Sequence, residues 1–479
     1  MDILLSRELH LTPSDHETLI CLEFRTEKSY KALRIFTDYH DAKFLGDMEQ
    51  ARRAIQRGIR KYLKDTDPSQ WERFLPVVNL VTLSLECEGV FVGSAHRHHP
   101  KQSLMISEEM SSPGFERHKI SRGNWRAVVC VNALVSDLVR YRLMIQGVED
   151  SDPDPVEYRC MELHTHTVHS DGGASVSQLC HKAMDWAYDG IALTDHNAWS
   201  GVAELTPALE DATLPVAHGI EWTTLYGHFL VIGDTRVDCR LIGQDDIHLY
   251  LERIQAEGCA VGVAHPCAEG APFCSGCDWR FHLSRWDLVD YIEIWNGPFP
   301  LESPRNSCAL QRWTKLLNAG YRIAISSGRD WHLLGDEPKN PHLGVTYLGI
   351  AGPIRTDTVK EALRVGRSYV TAGPTLEFAF RKDGRVYGLG ETLSPGSCLL
   401  LAQVNEDSRR PCWQDFGIQT KQVRLIHNGE VILTKSCGGS VVLSDWVELS
   451  PGWARLELYG DYRGQTGVML ACSSPIYME

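Results

Sequence analysis

The chain has 479 residues, of which 43% are hydrophobic and 23% charged, and a net charge of −14. These values exclude a disordered chain, and at roughly 100–200 residues per domain they imply two to four domains. So acidic a surface argues against stable nucleic-acid binding, although metal ions could still supply positive charge for a phosphate-bearing substrate.

No stretch approaches about 18 uninterrupted apolar residues, so no membrane span is predicted. The N-terminus is charged by Arg7 and has no apolar core, so no secretory signal is read there. The 15 cysteines are odd in number and irregularly spaced. That pattern predicts reduced thiols and a cytoplasmic location, with Cys21, Cys130 and Cys259 acting as small hydrophobes in apolar runs.

Residues 1–150 read as strands at 18–25, 76–87, 102–107, 125–134 and 140–147, interrupted by a helical pattern from Asp41 to Lys64. A β-sandwich with a helical insertion is expected. The acidic, Pro-bearing stretch from Glu149 to Pro155 reads as a linker. Residues 156–372 alternate short apolar strands with helices over 175–188, 244–257 and 308–319, which implies parallel strands in an open sheet or a barrel. Residues 373–479 return to strands at 376–380, 397–404, 422–433, 440–449 and 453–460, with a hairpin signal at Asn428-Gly429. A second small β-sandwich is expected there.

In the central segment, metal-ligating side chains recur where strands stop. One strand ends in His164-Thr165-His166, with Asp171 five residues on; another ends in Asp195-His196. Others end in Gly219-Ile220-Glu221, Ala264-His265 and Arg329-Asp330-Trp331-His332, and one opens at Gly227-His228. Residues i and i+2 of a strand share a face, so His164 and His166 can grip one ion. A lone histidine at a strand end is ordinarily just hydrogen-bonded, and HxH alone is weak. The recurrence at five or more strand ends is what carries the reading, because the carboxyl ends of parallel strands share one rim.

The ordered motifs HTHTVHSDG, TDHN, GIE, GHFLVIG, AHP and GRDWH resemble those of the polymerase-and-histidinol-phosphatase (PHP) superfamily. The resemblance spans about residues 160–372 and implies an α/β fold with a PHP-type (β/α)7 barrel, which the strand patterns flank with N-terminal and C-terminal β-sandwich domains. It implies two or three divalent transition metal ions: Mn, Zn or Fe. His164, His166, Glu221 and Asp330 would hold the first ion. Glu221 would bridge to a second, completed by His228 and His265. Asp171, His196 and His332 would hold the third; many family members carry a histidine where Asp171 stands. The flanking GVFVGSAHRHHPKQSLMISEEMSSPGF and GNWRAVVCV resemble the N-terminal sandwich of a multidomain branch that includes carbaryl hydrolases, and the central YIEIWNG and CSGCDW segments resemble that branch too.

Other signals have plainer readings. Cys274 and Cys277, with Cys267 and His282 nearby, could form a small zinc site, but a structural zinc ordinarily shows two clear pairs, so an ordered loop is favoured. His96-Arg97-His98-His99 reads as a solvated loop tip beside Pro100. Ser170 and Ser327 lie near ligand positions, but no Gly-x-Ser-x-Gly elbow supports serine chemistry. Arg329 and Arg367 are candidate anion clamps; Arg329 is preferred because it sits inside a ligand motif, provided the turn swings it into the pocket.

The expected function is a cytoplasmic metal-dependent hydrolase acting on a small-molecule substrate, first as a phosphoesterase using metal-activated hydroxide. The alternative is hydrolysis of an uncharged ester or carbamate, with Trp199, Trp222, Trp295 and Trp331 around the mouth. A binding protein that has lost catalysis would need a missing ligand, and none is missing.

Overall fold

The structure is a computed structural model. It describes residues 2–39, 47–63, 65–75, 77–96, 101–108, 110–149, 156–205, 214–238, 240–269, 277–332, 344–406 and 416–479. The linker from Asp150 to Pro155, the Arg97–Pro100 tip and Cys274 lie outside these. The chain forms two compact units, Met1–Pro153 and Asp154–Glu479.

The first unit stacks two four-stranded antiparallel sheets. Its strands are β1 (Asp2–Leu11), β2 (Thr18–Thr26), β3 (Ala32–Tyr39), β4 (Leu80–Cys87), β5 (Val90–Ala95), β6 (Lys101–Ser107), β7 (Gly123–Ala133) and β8 (Val139–Val148). The sheet orders are β1-β8-β3-β6 and β2-β7-β4-β5. Alternation puts Leu33, Ile35 and Ile145 of one sheet into a common core with Leu83, Leu85 and Val129 of the other. Helix α1 (Met48–Tyr62) is capped by Asp47, whose carboxylate accepts from Glu49 N at 3.0 Å. It buries only Ala51 and Ile59.

The second unit begins with seven strands in spatial sequence: β9 (Val156–Glu162), β10 (Gly190–Leu193), β11 (Val216–Thr223), β12 (His228–Ile232), β13 (Ala260–Val263), β14 (Tyr291–Asn296) and β15 (Ala324–Gly328). Beyond their last residues the first and last strands meet. Thr165 and Trp331 form a parallel bridge, Trp331 N donating to His164 O (3.0 Å) and His166 N to Trp331 O (2.9 Å). Helix α2 (Val176–Asp185) starts at Ser175, which exchanges hydrogen bonds with Gln178 in a capping box. Helices α3 (Ile247–Ala256), α4 (Pro304–Asn318) and α5 (Thr356–Arg364) follow.

This differs from a regular seven-fold strand–helix repeat. The pairs β9–β10, β10–β11, β13–β14 and β14–β15 are parallel, but β11–β12 and β12–β13 are antiparallel. The reason is chain length. Only residues 224–227 separate β11 from β12, enough for a hairpin but not for the crossover of a dozen or more residues that a parallel pair needs. Four α-helices, α2 to α5, accompany these strands among the described residues.

On the other side of β9 the sheet continues antiparallel through β16 (Val345–Ala351) and β17 (Ser368–Thr371). After β18 (Thr375–Lys382), β19 (Arg385–Tyr387), β20 (Thr392–Leu393) and β21 (Gly396–Asn405) come β22 (Gln419–His427), β23 (Glu430–Ser436), β24 (Val441–Leu449), β25 (Gly452–Tyr462), β26 (Gln465–Ser473) and β27 (Ile476–Met478). One C-terminal sheet, β19-β18-β21-β24, is separate; the other continues from β17 through β26, β25, β22 and β23. The Asn428-Gly429 turn joins β22 to β23 with both residues at positive φ, +51° and +90°, as a tight hairpin of this type requires.

Cysteine usage departs from the all-thiol expectation. Cys267, after β13, is disulfide-bonded to Cys308 in α4, and Cys277 is also disulfide-bonded. The loop after β13 and helix α4 bring the Cα atoms of Cys267 and Cys308 to 6.1 Å. Neither Cys267 nor Cys277 then offers a thiolate to zinc, and the inference of a reducing compartment loses its support. Cys21, Cys130 and Cys259 are free. No helix among the described residues is long and apolar enough to cross a membrane.

Candidate metal centre

All nine histidines and carboxylates singled out as metal ligands gather at one end of the seven-strand run. They fall into three overlapping groups: His164, His166, Glu221 and Asp330; Glu221, His228 and His265; and His166, Asp171, His196 and His332. Within each group one ligand atom per residue lies within 4.8 Å of every other. Glu221 and His166 each belong to two groups.

Glu221 is the hub. It sits in β11, fully buried, with Oε2 3.3 Å from His164 Nε2, 3.4 Å from His166 Nε2 and 2.8 Å from His196 Nδ1. Its Oε1 is 3.0 Å from His228 Nδ1 and 3.2 Å from His265 Nε2. The β11–β12 hairpin places Glu221 and His228 on neighbouring strands. Asp330 Oδ1 closes the first group at 3.0 Å from His166 Nε2 and 3.3 Å from His164 Nε2. Asp171 lies at the exposed edge, 3.2 Å from His332 Nε2 and 3.5 Å from His196 Nε2.

Backbone conformation aims these groups. His265 and Asp330 both take positive φ, +26° and +56°. Such conformations are costly for residues with a side chain and cluster at functional sites. Gly328 leaves room for the centre: a Cβ there would lie 1.9 Å from Glu293 Oε1 and 2.6 Å from His164 Cβ.

The donor set suits metal ions. It combines imidazole nitrogens with carboxylate oxygens, the ligands that manganese, iron and zinc accept. Four buried ring nitrogens of the cluster, His164 Nε2, His166 Nδ1, His228 Nε2 and His265 Nδ1, have no hydrogen-bond partner among the described residues, which buried polar atoms ordinarily have. Burial opposes ionisation of Glu221, yet His164, His196 and His228 outweigh it and hold the carboxyl well below the usual range. Asp330 is likewise lowered, with the charge of His164 and the His166 hydrogen bond overcoming burial. Burial dominates at His166 and lowers its pKa, favouring the neutral ring that a metal needs.

A second layer holds the ligands, and no residue of it is assigned as a ligand from the sequence. Glu293 of β14 receives His164 Nδ1 at 2.9 Å and His265 N at 2.9 Å. Asp195 accepts from Thr167 N (2.7 Å) and Ser170 Oγ (2.7 Å), fixing the loop that carries Asp171. Glu162 accepts from His164 N, Arg329 N and Tyr188 Oη; burial pushes its carboxyl up to about 7 against the two backbone donors. The signal for Glu293 was available: a carboxylate inside the apolar run Tyr291–Trp295 needs a buried partner.

Arg329 does not swing toward the pocket. Its guanidinium lies over the rings of Trp186 (4.6 Å) and Trp331 (5.4 Å), and the residue is buried. Strand alternation persists through the turn: Asp330 and His332 point to the ligand cluster, while Arg329 and Trp331 share the face toward α2. Arg367 Nε donates to Gly349 O at 2.9 Å in β16. Trp222, Trp295 and Trp331 are core residues rather than a ring around the mouth, and Trp199 is packed under Arg236. Ser170 is held by Asp195, as above.

Residues 162–253 match the family model of the PHP domain. This PHP-domain match takes in His164, His166, Asp171, His196, Glu221 and His228. No curated protein matches the chain. Among solved structures, it is similar to a two-domain Bacteroides vulgatus protein containing a predicted PHP-like metal-dependent phosphoesterase. The identity is 15%, over 67% of this chain and 96% of that one, with a TM-score of 0.38. A proposed metal-dependent phosphoesterase of Bifidobacterium adolescentis shares 18% over 42% of this chain and 95% of its own, with a TM-score of 0.28. A Chromobacterium violaceum amidohydrolase with bound sulfate and no metal shares 15% over 37% of this chain and 88% of its own, with a TM-score of 0.27.

Proposed function

We propose that the protein is a metal-dependent phosphoesterase acting on a small molecule, with the second unit as its catalytic part. The strands β9–β15 are read as a distorted (β/α)7 barrel, supported by the Thr165–Trp331 bridge between its first and last strands. The observation that carries the functional reading is the sharing of Glu221 and His166 among three ligand groups. Three adjacent cation sites on one rim suit a dianionic phosphoryl group better than a neutral carbonyl.

His164, His166, Glu221 and Asp330 would hold one ion, His228 and His265 a second with Glu221, and Asp171, His196 and His332 a third with His166. Divalent ions held there supply Lewis acidity, lowering the pKa of a water and offsetting charge that develops on the substrate. The chain's own part is positioning. Glu293 fixes the ring of His164 through Nδ1, leaving Nε2 to face the cluster, and Thr223 Oγ1 fixes His196 at 2.6 Å. Burial of Glu221 and the histidines around it excludes bulk water and strengthens each electrostatic contact.

The test is elemental analysis with a substrate panel. The purified protein is expected to carry more than one equivalent of transition metal. EDTA abolishes turnover, and Mn²⁺ or Zn²⁺ restores it. Nitrophenyl phosphomonoester or phosphodiester is cleaved in preference to nitrophenyl acetate or carbamate. Activity indifferent to EDTA, or cleavage of esters and carbamates alone, would overturn the reading.

A further inference from the structure

A cavity of about 320 Å³ opens beside His265. That is the lower end of the size range of small-molecule sites. Its walls come from the loop after β13, the segment after β14 and the first turns of α4, so it borders the metal centre through both His265 and Glu293. The walls are braced. The Cys267–Cys308 disulfide ties the loop to the helix, and Asn306 accepts from Asn296 N (3.1 Å) while donating to Pro300 O (2.9 Å).

The charged groups of this cavity are unequal. Glu293 is occupied by His164, His265 N and Asn296 Nδ2. Glu302 is paired with Arg463 at 2.6 Å and with the Tyr462 hydroxyl. Arg305 alone faces the cavity as an exposed cation with no partner among the described residues. It sits in the first turn of α4, whose cap residue Ser303 makes no side-chain capping bond. Helix dipole and guanidinium therefore add rather than cancel. Arg329, turned onto its tryptophans, does not compete for this role.

We propose that this cavity takes the part of the substrate that does not react, and that Arg305 binds an oxyanion, carboxylate or phosphate, carried by that part. The substrate class is thus a small phosphoester with a second anionic group a short distance from the scissile one. The inference rests on the phosphoesterase reading for the scissile end only.

The experiment is calorimetric binding of three probes to the Mn²⁺-loaded protein: phenylphosphonate, 4-carboxyphenylphosphonate and 1,4-phenylenebisphosphonate. One of the two doubly anionic probes is expected to bind at least about tenfold tighter than the parent, the size of one charge-assisted contact. Which of the two gains more tells carboxylate from phosphate. In Arg305→Gln the advantage over the parent falls to about one, and Arg305→Lys restores part of it. Because Arg305 is exposed, neither substitution disturbs the core. Equal affinities for all three probes in the wild type, no binding of any, or an advantage that survives Arg305→Gln would overturn the proposal. The phosphoesterase reading is judged separately by turnover of phenyl phosphate: a protein that cleaves it without discriminating among the probes retains that reading and loses this one.

Discussion

His164 Nδ1 lies 2.9 Å from Glu293 Oε1, and both side chains are fully buried. The carboxylate decides which way the imidazole faces, since a ring nitrogen committed to Glu293 leaves the opposite nitrogen to meet Glu221 and Asp330. Glu293→Ala removes that restraint and the anchor of His265 N. It is expected to weaken metal affinity about 10- to 100-fold, measured by competition with a chromogenic chelator. Glu293→Gln keeps an acceptor and should fall between. An Ala variant with wild-type metal affinity would show that Glu293 serves packing alone.

Glu221 belongs to two of the ligand groups, and Asp330 completes the first of them. Glu221→Gln and Asp330→Asn are each expected to lower kcat by at least about a hundredfold and to reduce the bound metal. His10→Ala is the control: His10 is an exposed residue of β1 paired with Glu8, in the other unit. Loss of activity in the control, or its retention in the Glu221 variant, would contradict the assignment of the hub.

Much of this arrangement is legible in the sequence, for identifiable reasons. Strands β7 and β8 announce themselves through apolar alternation, α2 through its Ser-x-x-Gln cap, and the ligand groups through histidine and carboxylate at strand ends. Strand β1 does not stand out in the sequence, because only Leu5 and Leu11 of its ten residues are buried and the rest are largely polar. The antiparallel β11–β12 pair could have been read from its four-residue connection, which admits no crossover. The hairpin signal at Asn428-Gly429 divides the extended run 422–433 into β22 and β23. Glu293 was hidden by the opposite problem, an ionic residue inside a segment that reads as pure core.

Arg329 illustrates a wrong inference from a correct parity. Its side chain is opposite to Asp330 and remains so, stacked on Trp186 and Trp331, which are themselves parallel at 4.8 Å. Arg329→Ala is therefore expected to act on stability. A desolvated cation–π contact is worth about 2 kcal/mol, so thermal unfolding should shift down by several degrees. The KM for a phosphoester should change by less than about threefold. A KM raised tenfold with unaltered unfolding would instead restore Arg329 as an anion clamp.

Asp290, at the foot of β14, gives a pH signature away from the metal centre. Its carboxylate accepts from Val261 N at 2.7 Å. Burial raises its pKa from 3.8 to about 6, against the pull of that N–H and of Arg364. A carboxyl whose folded pKa is raised binds its proton more tightly in the native state. Its contribution is fully present below the unfolded value of 3.8 and is lost as pH rises through about 6. Asp290→Asn cannot ionise, keeps a carbonyl oxygen for Val261 N, and escapes that loss. Relative to wild type, the variant should gain on the order of 1 to 2 kcal/mol between about pH 5 and pH 7 and then level off. Denaturant unfolding of both proteins across that range measures the difference. A gap independent of pH would mean that Asp290 titrates like an ordinary exposed carboxylate.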